Sequence, residues 1–597
     1  MTARRLLVTT ASEDAWGSSE DLLFLGEWCK LYERRHVWSR RDSETARFHW
    51  DDRGKLRRDY AYLESLHRSL LPSLATCLNE FHRVDHSVRY WQTLLDPWLA
   101  SYIAVVFDRW ESLRLAFEEY GELELVLCAG AGATAPPYGH LEFLEQAQSD
   151  EWNRSLHERI IETEHCAKCL IRREPTSVAT EEGSGRLAVS SRRRSMLGRV
   201  ASAVDGFLGS CFTEYDVVFL GSTFCLPALI RLNLALGQAP RLFLNEFRPI
   251  RPKESLPASG SGSADRTGMH LIVQLESRFE QFLVRSIVHD LPSSVVEHYS
   301  ALRNRAMSLA IRTKAIVTGG RHWFDEFAKV WFAEQVSRGV KLVITEHGGS
   351  LPESKEWFDF EVDIADAKCS WFLPYHSKHT QLPPAKLVGR FARLRLAPRV
   401  AAGPRYCSVI PYECARWVHR VQLCPMASQW SVGFEMILEF HEALDVDVKE
   451  LFRIKPRDAG WNMRQRASDI LGSNKVLAEK ALDRVFSSSR VIVCTYPQTT
   501  FSEAMASGVP TVLMYPEHLW DLNAVALPLI ESLRSAKILF YEPMAAAAHV
   551  NAIWADPGKW WKSPDVLEAR RQFRLVAQDL NGDWVAKWTS FLRATIA

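Results

Sequence analysis

A chain of 597 residues exceeds what one hydrophobic core serves, so at least two large domains are expected. The composition, 47% hydrophobic and 24% charged, is that of a globular protein, and 73 Lys and Arg against 72 Asp and Glu leave no cationic surplus for gripping nucleic acid in bulk. No apolar run approaches the roughly 20 residues of a membrane span, residues 1–17 have too short an apolar core for a signal peptide, and twelve scattered cysteines point to reduced thiols; a cytoplasmic protein is expected.

Residues 4–10, RRLLVTT, read as a strand ending in small hydroxyl residues, and 22–32 as the helix after it, an opening that suits a Rossmann-like half. From 60 to 120 the apolar residues recur at three and four, Tyr62, Leu66, Leu70, Leu74, Leu78 and Phe81 among them, which predicts a large helical insertion. Pro97 is expected to start or kink a helix there. Residues 124–128 and 217–221 are the next strands, the second ending in Gly-Ser-Thr and able to open toward a ligand. His165, Cys166 and Cys169 offer metal-ligand chemistry, but no second pair follows at finger-like spacing, so no metal site is expected. Residues 174–195 and 251–266, rich in Gly, Ser and charge, read as flexible surface segments. Arg192 to Arg194 in the first can meet phosphate or an anionic membrane, or simply be solvated.

The crossover into the second half is expected near residue 310, giving an N-terminal domain over 1–310 and a C-terminal one over 311–597. There the alternation is cleaner: strand 314–318, a Gly319-Gly320-Arg321 turn, helix 322–336, strand 341–345. The last strand delivers Glu346-His347-Gly348-Gly349 to the carboxyl edge of a parallel sheet. Its glycines allow close backbone approach to a ligand, and His347 can donate to phosphate or act as acid or base; a plain turn would read the same way. Strands 406–411 and 451–455 flank a helix over 432–444, leaving Lys455 and Arg457 just past a strand end, where two cations suit a phosphate or are merely solvated.

Residues 491–515 organise the C-terminal half: strand, polar turn, about two turns of helix, strand. Strands joined that way lie parallel, and the helix N–H groups between them can hold an anion at the ligand-binding edge of the sheet. Thr500 with Glu503 three residues on fits a capping box, and Gly508 sits where a helix end takes a left-handed residue. Helices over 565–593 are expected to pack back across the domain junction.

The wording of that stretch, a Thr pair, then Glu-Ala, small residues and Gly-Val-Pro-Thr, resembles the donor-nucleotide loop of GT-B glycosyltransferases. Together with Leu25-Gly26-Glu27-Trp28-Cys29, the segment from Tyr90 to Trp98, His347-Gly348-Gly349 and Thr499-Thr500-x-x-Glu503, it resembles the LIC12162-type transferases of bacterial surface-polysaccharide (O-antigen) loci. More remotely it is similar to transferases that use CMP-linked acidic sugars. The resemblance implies an α/β, GT-B-like protein: two Rossmann-like domains facing a cleft, with a nucleotide-sugar donor on the C-terminal one. His347, Gly348 and Gly349 would lie near the donor phosphate, Lys455 on phosphate, and Thr499, Thr500 and Glu503 on phosphate or ribose. One departure is that Ser350-Leu351-Pro352, and not an aromatic-Gly pair, follows the glycines.

The expected activity is therefore sugar transfer from a nucleotide sugar to a surface glycan or its lipid-linked precursor. Cations such as Arg321, Lys455 and Arg457, with helix N–H groups, would stabilise the leaving phosphate, so neither a metal nor a cofactor is called for. An inverting reaction needs a carboxylate base, for which Glu27 is one candidate beside Asp108 and Glu246. Peripheral contact with the inner face of the inner membrane is compatible with this reading. Two alternatives are a sugar-nucleotide 2-epimerase on the same scaffold and a non-catalytic scaffold of envelope assembly.

Overall fold

The computed structural model describes residues 4–16, 21–129, 134–165, 167–175, 196–248, 266–349, 351–355, 357–388, 405–478 and 481–597. Cys166 and nearly all of the two segments expected to be flexible lie outside them.

Fifteen strands are described, and every pairing between them is parallel. The first sheet comprises β1 (Arg5–Val8), β2 (Asp21–Phe24), β3 (Asp42–Thr45), β4 (Leu123–Ala129) and β5 (Cys169–Pro175), in the order β3-β2-β1-β4-β5. The second comprises β6 (Glu214–Phe219), β7 (Arg312–Thr318), β8 (Lys341–Thr345), β9 (Ala367–Ser370) and β10 (His379–Gln381), laid side by side in chain order. The third comprises β11 (Tyr406–Ile410), β12 (Phe452–Ile454), β13 (Ser489–Cys494), β14 (Thr511–Met514) and β15 (Leu539–Phe540), in the order β12-β11-β13-β14-β15. The order in which the chain lays down these parallel strands therefore reverses between β11 and β13, where doubly wound sheets open a crevice.

The expected α/β class holds, and two parallel sheets, the second and third, face one another across a cleft. Three expectations need correction. Residues 22–25 are not helical: Leu22, Leu23, Phe24 and Leu25 are at most 1% exposed, and β2, covered on both faces, is a continuous apolar run and not an alternating one. Of the two alternatives at Pro97 a helix start is ruled out: the helix runs over Val88–Tyr120 with Pro97 inside it, and every side chain from Thr93 to Leu113 is buried. A division at 310 would separate β6 from β7, which pair from Glu214–Arg312 to Phe219–Val317. By sheet membership the N-terminal half carries one whole sheet and a strand of the next.

The Arg53–His82 and Val88–Tyr120 helices pack on each other and form the helical insertion. With sheet 1, one face of sheet 2 and one face of sheet 3 they share the largest apolar core. A second core covers the other face of sheet 3. The outer face of sheet 2 is closed by the last helix, Trp584–Ile596, which brings Trp588 and Leu592 against Phe224 and Leu232. Trp588 Nε1 also donates to Pro383 O at 2.9 Å, fixing this return crossing.

Candidate functional site

A cleft of about 770 Å³ runs between the carboxyl edge of sheet 2 and that of sheet 3. Each strand of sheet 2 that reaches it ends in the residues the cleft uses: Gly221 after β6, Gly319, Gly320 and Arg321 after β7, Glu346 to Gly349 after β8. Sheet 3 contributes Gln498 and Thr499, which follow β13, and Arg420 and Gln422 beyond β11. The two edges are tied together by Leu351 N donating to Pro497 O at 3.1 Å and Gln498 Nε2 donating to Glu353 Oε1 at 2.7 Å.

Glycines set how closely the walls approach. A Cβ on Gly348 would overlap Thr499 Oγ1, and one on Gly349 would lie 3.0 Å from Glu346 Oε2. Gly221 adopts φ +66°, the left-handed region, and packs directly on the Arg321 side chain. His347, between them on the wall, is exposed. Arg321 is held by an ion pair to Asp325 and donates from Nη1 to Phe247 O at 3.1 Å. Asp325 in turn caps the Glu326–Ser337 helix, accepting from Ala328 N at 3.0 Å, so the predicted helix over 322–336 is broken at that residue.

The floor holds a buried ionic group. Glu361 accepts from His322 Nε2 at 2.7 Å, Trp323 Nε1 at 2.9 Å and Lys368 Nζ at 3.1 Å. Burial pushes its carboxyl up, but Lys368 and His322 outweigh burial and hold it well below the usual carboxylate range. Beside it Phe358 and Asp359 are consecutive non-glycine residues at φ 56° and 51°, the first with its N–H bonded to Tyr60 Oη at 2.7 Å. Such backbone costs roughly 1–3 kcal/mol per residue and persists where surroundings impose it, here a long helix pressing on the cleft wall.

Of the residues singled out by sequence, Arg321, His347, Gly348, Gly349 and Thr499 line this cleft together. The others lie elsewhere. Lys455 and Arg457 follow β12 as expected, but gather around Glu413 at the β11/β13 crevice: Arg457 N bonds Glu413 Oε1, and both cations act on its carboxyl. Burial pushes Glu413 up to about 8, and its Oε2 has no hydrogen-bond partner among the described residues. Thr500 bonds Tyr496 Oη at 2.5 Å, and the Tyr496 ring packs on Tyr412.

Glu503 is buried and paired with Lys386 at 3.2 Å, a link between sheet 3 and the segment after β10. The helix Thr499–Ser507 takes Gln498 as N-cap without a side-chain bond, so the expected capping box is absent. Gly508, at φ +80°, does end the helix in left-handed conformation. Glu27 is exposed at the edge of sheet 1, paired with Lys30 at 3.1 Å, and does not line the cleft. Asp108 is buried against His49 and Arg109, and Glu246 pairs with Arg241. His165 stacks on Phe117, and burial pushes the Cys169 thiol up to about 11. Among the described residues, no group of three or more His, Cys, Asp or Glu is arranged to hold a metal ion.

A family model decides the lineage: the LIC12162 family transferase model matches residues 5–592, nearly the whole chain. The chain belongs to the LIC12162 transferase family. No curated protein matches it. Among solved structures it is similar to MurG of Acinetobacter baumannii, at 13% identity over 63% of this chain and 99% of that one, TM-score 0.31. It is also similar to the glycosyltransferase SnogD of Streptomyces nogalater, at 13% identity over 64% of this chain and all of that one, TM-score 0.32. The wall teichoic acid polymerase TagF is a third, at 10% identity over 50% of this chain and 75% of that one, TM-score 0.27.

In this LIC12162 family chain, sequence reasoning missed Glu361, Lys368, Arg420 and Glu413. The signal for the first two was that FEVDIADAKCSW carries Glu361, Asp363, Asp366 and Lys368 among apolar residues, since charge inside a buried stretch implies pairing. Glu413 carried a weaker one, a carboxylate three residues past a strand end.

Proposed function

We propose that this transferase moves a sugar from a nucleotide-sugar donor to a bacterial surface glycan or its lipid-linked precursor. The single observation that carries the reading is the cleft between two parallel carboxyl edges, where His347, the Gly348-Gly349 pair, Arg321 and Thr499 converge. Two glycines permit backbone N–H groups to approach a phosphate, and the start of the Thr499–Ser507 helix supplies further donors. His347, exposed on the wall, is the group we assign to contact with the reacting substrate, where an imidazole can give or take a proton.

Leaving-group charge would be stabilised by these donors and by Arg321 and Arg420. Lys455 and Arg457, at the neighbouring crevice, would add positive potential from the side of Glu413. The acceptor hydroxyl needs a base, and the cleft's own carboxylates supersede Glu27 for that role, because Glu27 lies outside it. Glu346, which directly precedes His347 and accepts from Trp371 N at 2.7 Å, is the carboxylate we assign.

The test is thermal stabilisation of the full chain by UDP, GDP, CMP and dTDP, with His347→Ala and Thr499→Val alongside. A ligand at 100 times its dissociation constant stabilises the folded state by about 2.7 kcal/mol. Stabilisation by one nucleotide, weakened in both variants, is expected. No shift with any nucleotide at millimolar concentration would sink the donor-site reading and favour a scaffold.

A further inference from the structure

The described residues that line the cleft carry more acid than base. Their cations are Arg321, Lys368 and Arg420; their carboxylates are Asp325, Glu346, Glu353, Asp359 and Glu361. Two pairs cancel, Arg321 with Asp325 and Lys368 with Glu361 at 3.1 Å. That leaves Arg420 against Glu346, Glu353 and Asp359, all four half-buried. However these four pair with one another, the described lining holds two more carboxylates than cations, with His347 taken as neutral.

Two of those carboxylates are fixed next to the contact between Gly348 and Thr499. Glu346, two residues before Gly348, accepts from Trp371 N at 2.7 Å, and a Cβ on Gly349 would lie 3.0 Å from its Oε2. Glu353 accepts at 2.7 Å from Nε2 of Gln498, the residue before Thr499, and its backbone is pinned by the bridge to Leu522. Neither side chain can swing out of the cleft without losing its bond. Asp359 is held on the floor by left-handed backbone at φ 51°.

With donor phosphate against Gly348, Gly349 and the start of the Thr499–Ser507 helix, the sugar joined to it through one oxygen lies among these carboxylates. An ionised carboxylate only accepts hydrogen bonds, so it takes sugar hydroxyls or an ammonium group. It repels a second carboxylate, and more strongly in a cleft than in open water. An acidic sugar would also need a cation of its own. Arg321 and Arg420 serve the phosphate, and Lys368 is bound to Glu361. We propose that the sugar transferred is neutral or carries an amino group, and that Glu346, Glu353 and Asp359 exclude sugars bearing a carboxylate, a specificity set by repulsion. This inference rests on the transferase reading above. The remote sequence similarity to transferases of CMP-linked acidic sugars points the other way, so binding can decide between them.

The experiment is isothermal titration of the full chain with pairs of nucleotide sugars that differ only in a carboxylate: UDP-glucose and UDP-glucuronic acid, GDP-mannose and GDP-mannuronic acid, dTDP-glucose and dTDP-glucuronic acid. CMP-N-acetylneuraminic acid is compared with CMP, and UDP, GDP and dTDP are titrated alone. Two variants accompany the wild type. Glu353→Gln keeps an acceptor for Gln498, and Asp359→Asn keeps a residue type that tolerates left-handed backbone; each removes one charge. At least one neutral nucleotide sugar is expected to bind about tenfold or more tighter than its acidic counterpart, with that ratio falling severalfold in at least one variant. CMP-N-acetylneuraminic acid is expected to bind no more tightly than CMP. Equal or tighter binding of an acidic nucleotide sugar would overturn the inference and leave the transferase reading standing. A ratio unchanged in both variants would likewise overturn it, because the carboxylates would not be its cause. Absence of binding by every nucleotide and nucleotide sugar would overturn the transferase reading itself, and this inference with it.

Discussion

Gly348 and Thr499, one past β8 of sheet 2 and the other past β13 of sheet 3, meet so closely that a methyl group on the glycine would overlap Thr499 Oγ1 and lie 3.1 Å from its Cβ. The width of the cleft is set at this contact. Gly348→Ala is expected to destabilise by about 1–3 kcal/mol, as overpacking does, and to weaken nucleotide binding. Thr499→Ala removes the overlapping atoms, so the double variant should recover most of that stability. Chemical denaturation of the four proteins gives the coupling energy, which for residues in contact is about 0.5–3 kcal/mol; a value of zero would mean the walls do not touch here.

Glu413 should govern the alkaline side of the stability profile. Its carboxyl, pushed from 4.5 to about 8 by burial, keeps its proton in the folded state where the unfolded chain has lost it. Its stabilising contribution is therefore complete below about pH 4.5 and disappears as pH rises through 8, a loss of at most about 4–5 kcal/mol. Glu413→Gln keeps an acceptor for Arg457 N and does not titrate. Melting temperatures of wild type and variant from pH 5 to 9 should diverge, with the variant the flatter.

Glu361 sets the opposite limb. Its carboxyl is held low by Lys368 and His322 against the cost of burial, so its contribution is present above the unfolded value of 4.5 and is lost as pH falls through the lower folded one. Lys368→Met removes one of its three donors. The acid unfolding midpoint, followed by circular dichroism, is expected to move to higher pH, with a loss near neutrality of about 3–5 kcal/mol.

Asp521 joins the first long helix to the loop after β14, receiving Arg57 in two bonds and Arg53 Nη2 at 3.2 Å. Arg53 is mostly buried, so Asp521→Asn leaves a cation short of its counter-charge. A loss of about 1–3 kcal/mol is expected, whereas Glu531→Gln, removing an exposed pair, should cost under about 1 kcal/mol. Equal effects of the two in denaturant titration would contradict a clamp at Asp521.

What the sequence disclosed followed from local chemistry. KLVIT is a strand over the same five residues in the structure, because an apolar β-branched run between Gly339 and the His-Gly-Gly turn leaves little else for it to be. The glycines and His347 could be placed at a sheet edge for the same reason. Glu503 could not: its capping-box spacing was right, but its partner, Lys386, lies more than a hundred residues away and spacing carries no information about it. Glu27 was misdirected likewise, since a turn after a first strand says nothing of which sheet edge borders the cleft. The first sheet escaped notice as a sheet of its own because β3, DSET, is a charged edge strand without apolar alternation, and because β2 reads equally well as helix until both its faces are known to be covered.

The return of the Trp584–Ile596 helix to sheet 2 gives this protein a timetable. Phe224 and Leu232 leave the ribosome hundreds of residues before Trp588, the side chain that covers them, and at roughly 5–20 residues per second their apolar face waits tens of seconds for it. During synthesis the middle of the molecule is thus the last part to be finished, although it is neither first nor last in the chain, and a nascent chain stalled within sheet 3 would present that face to chaperones.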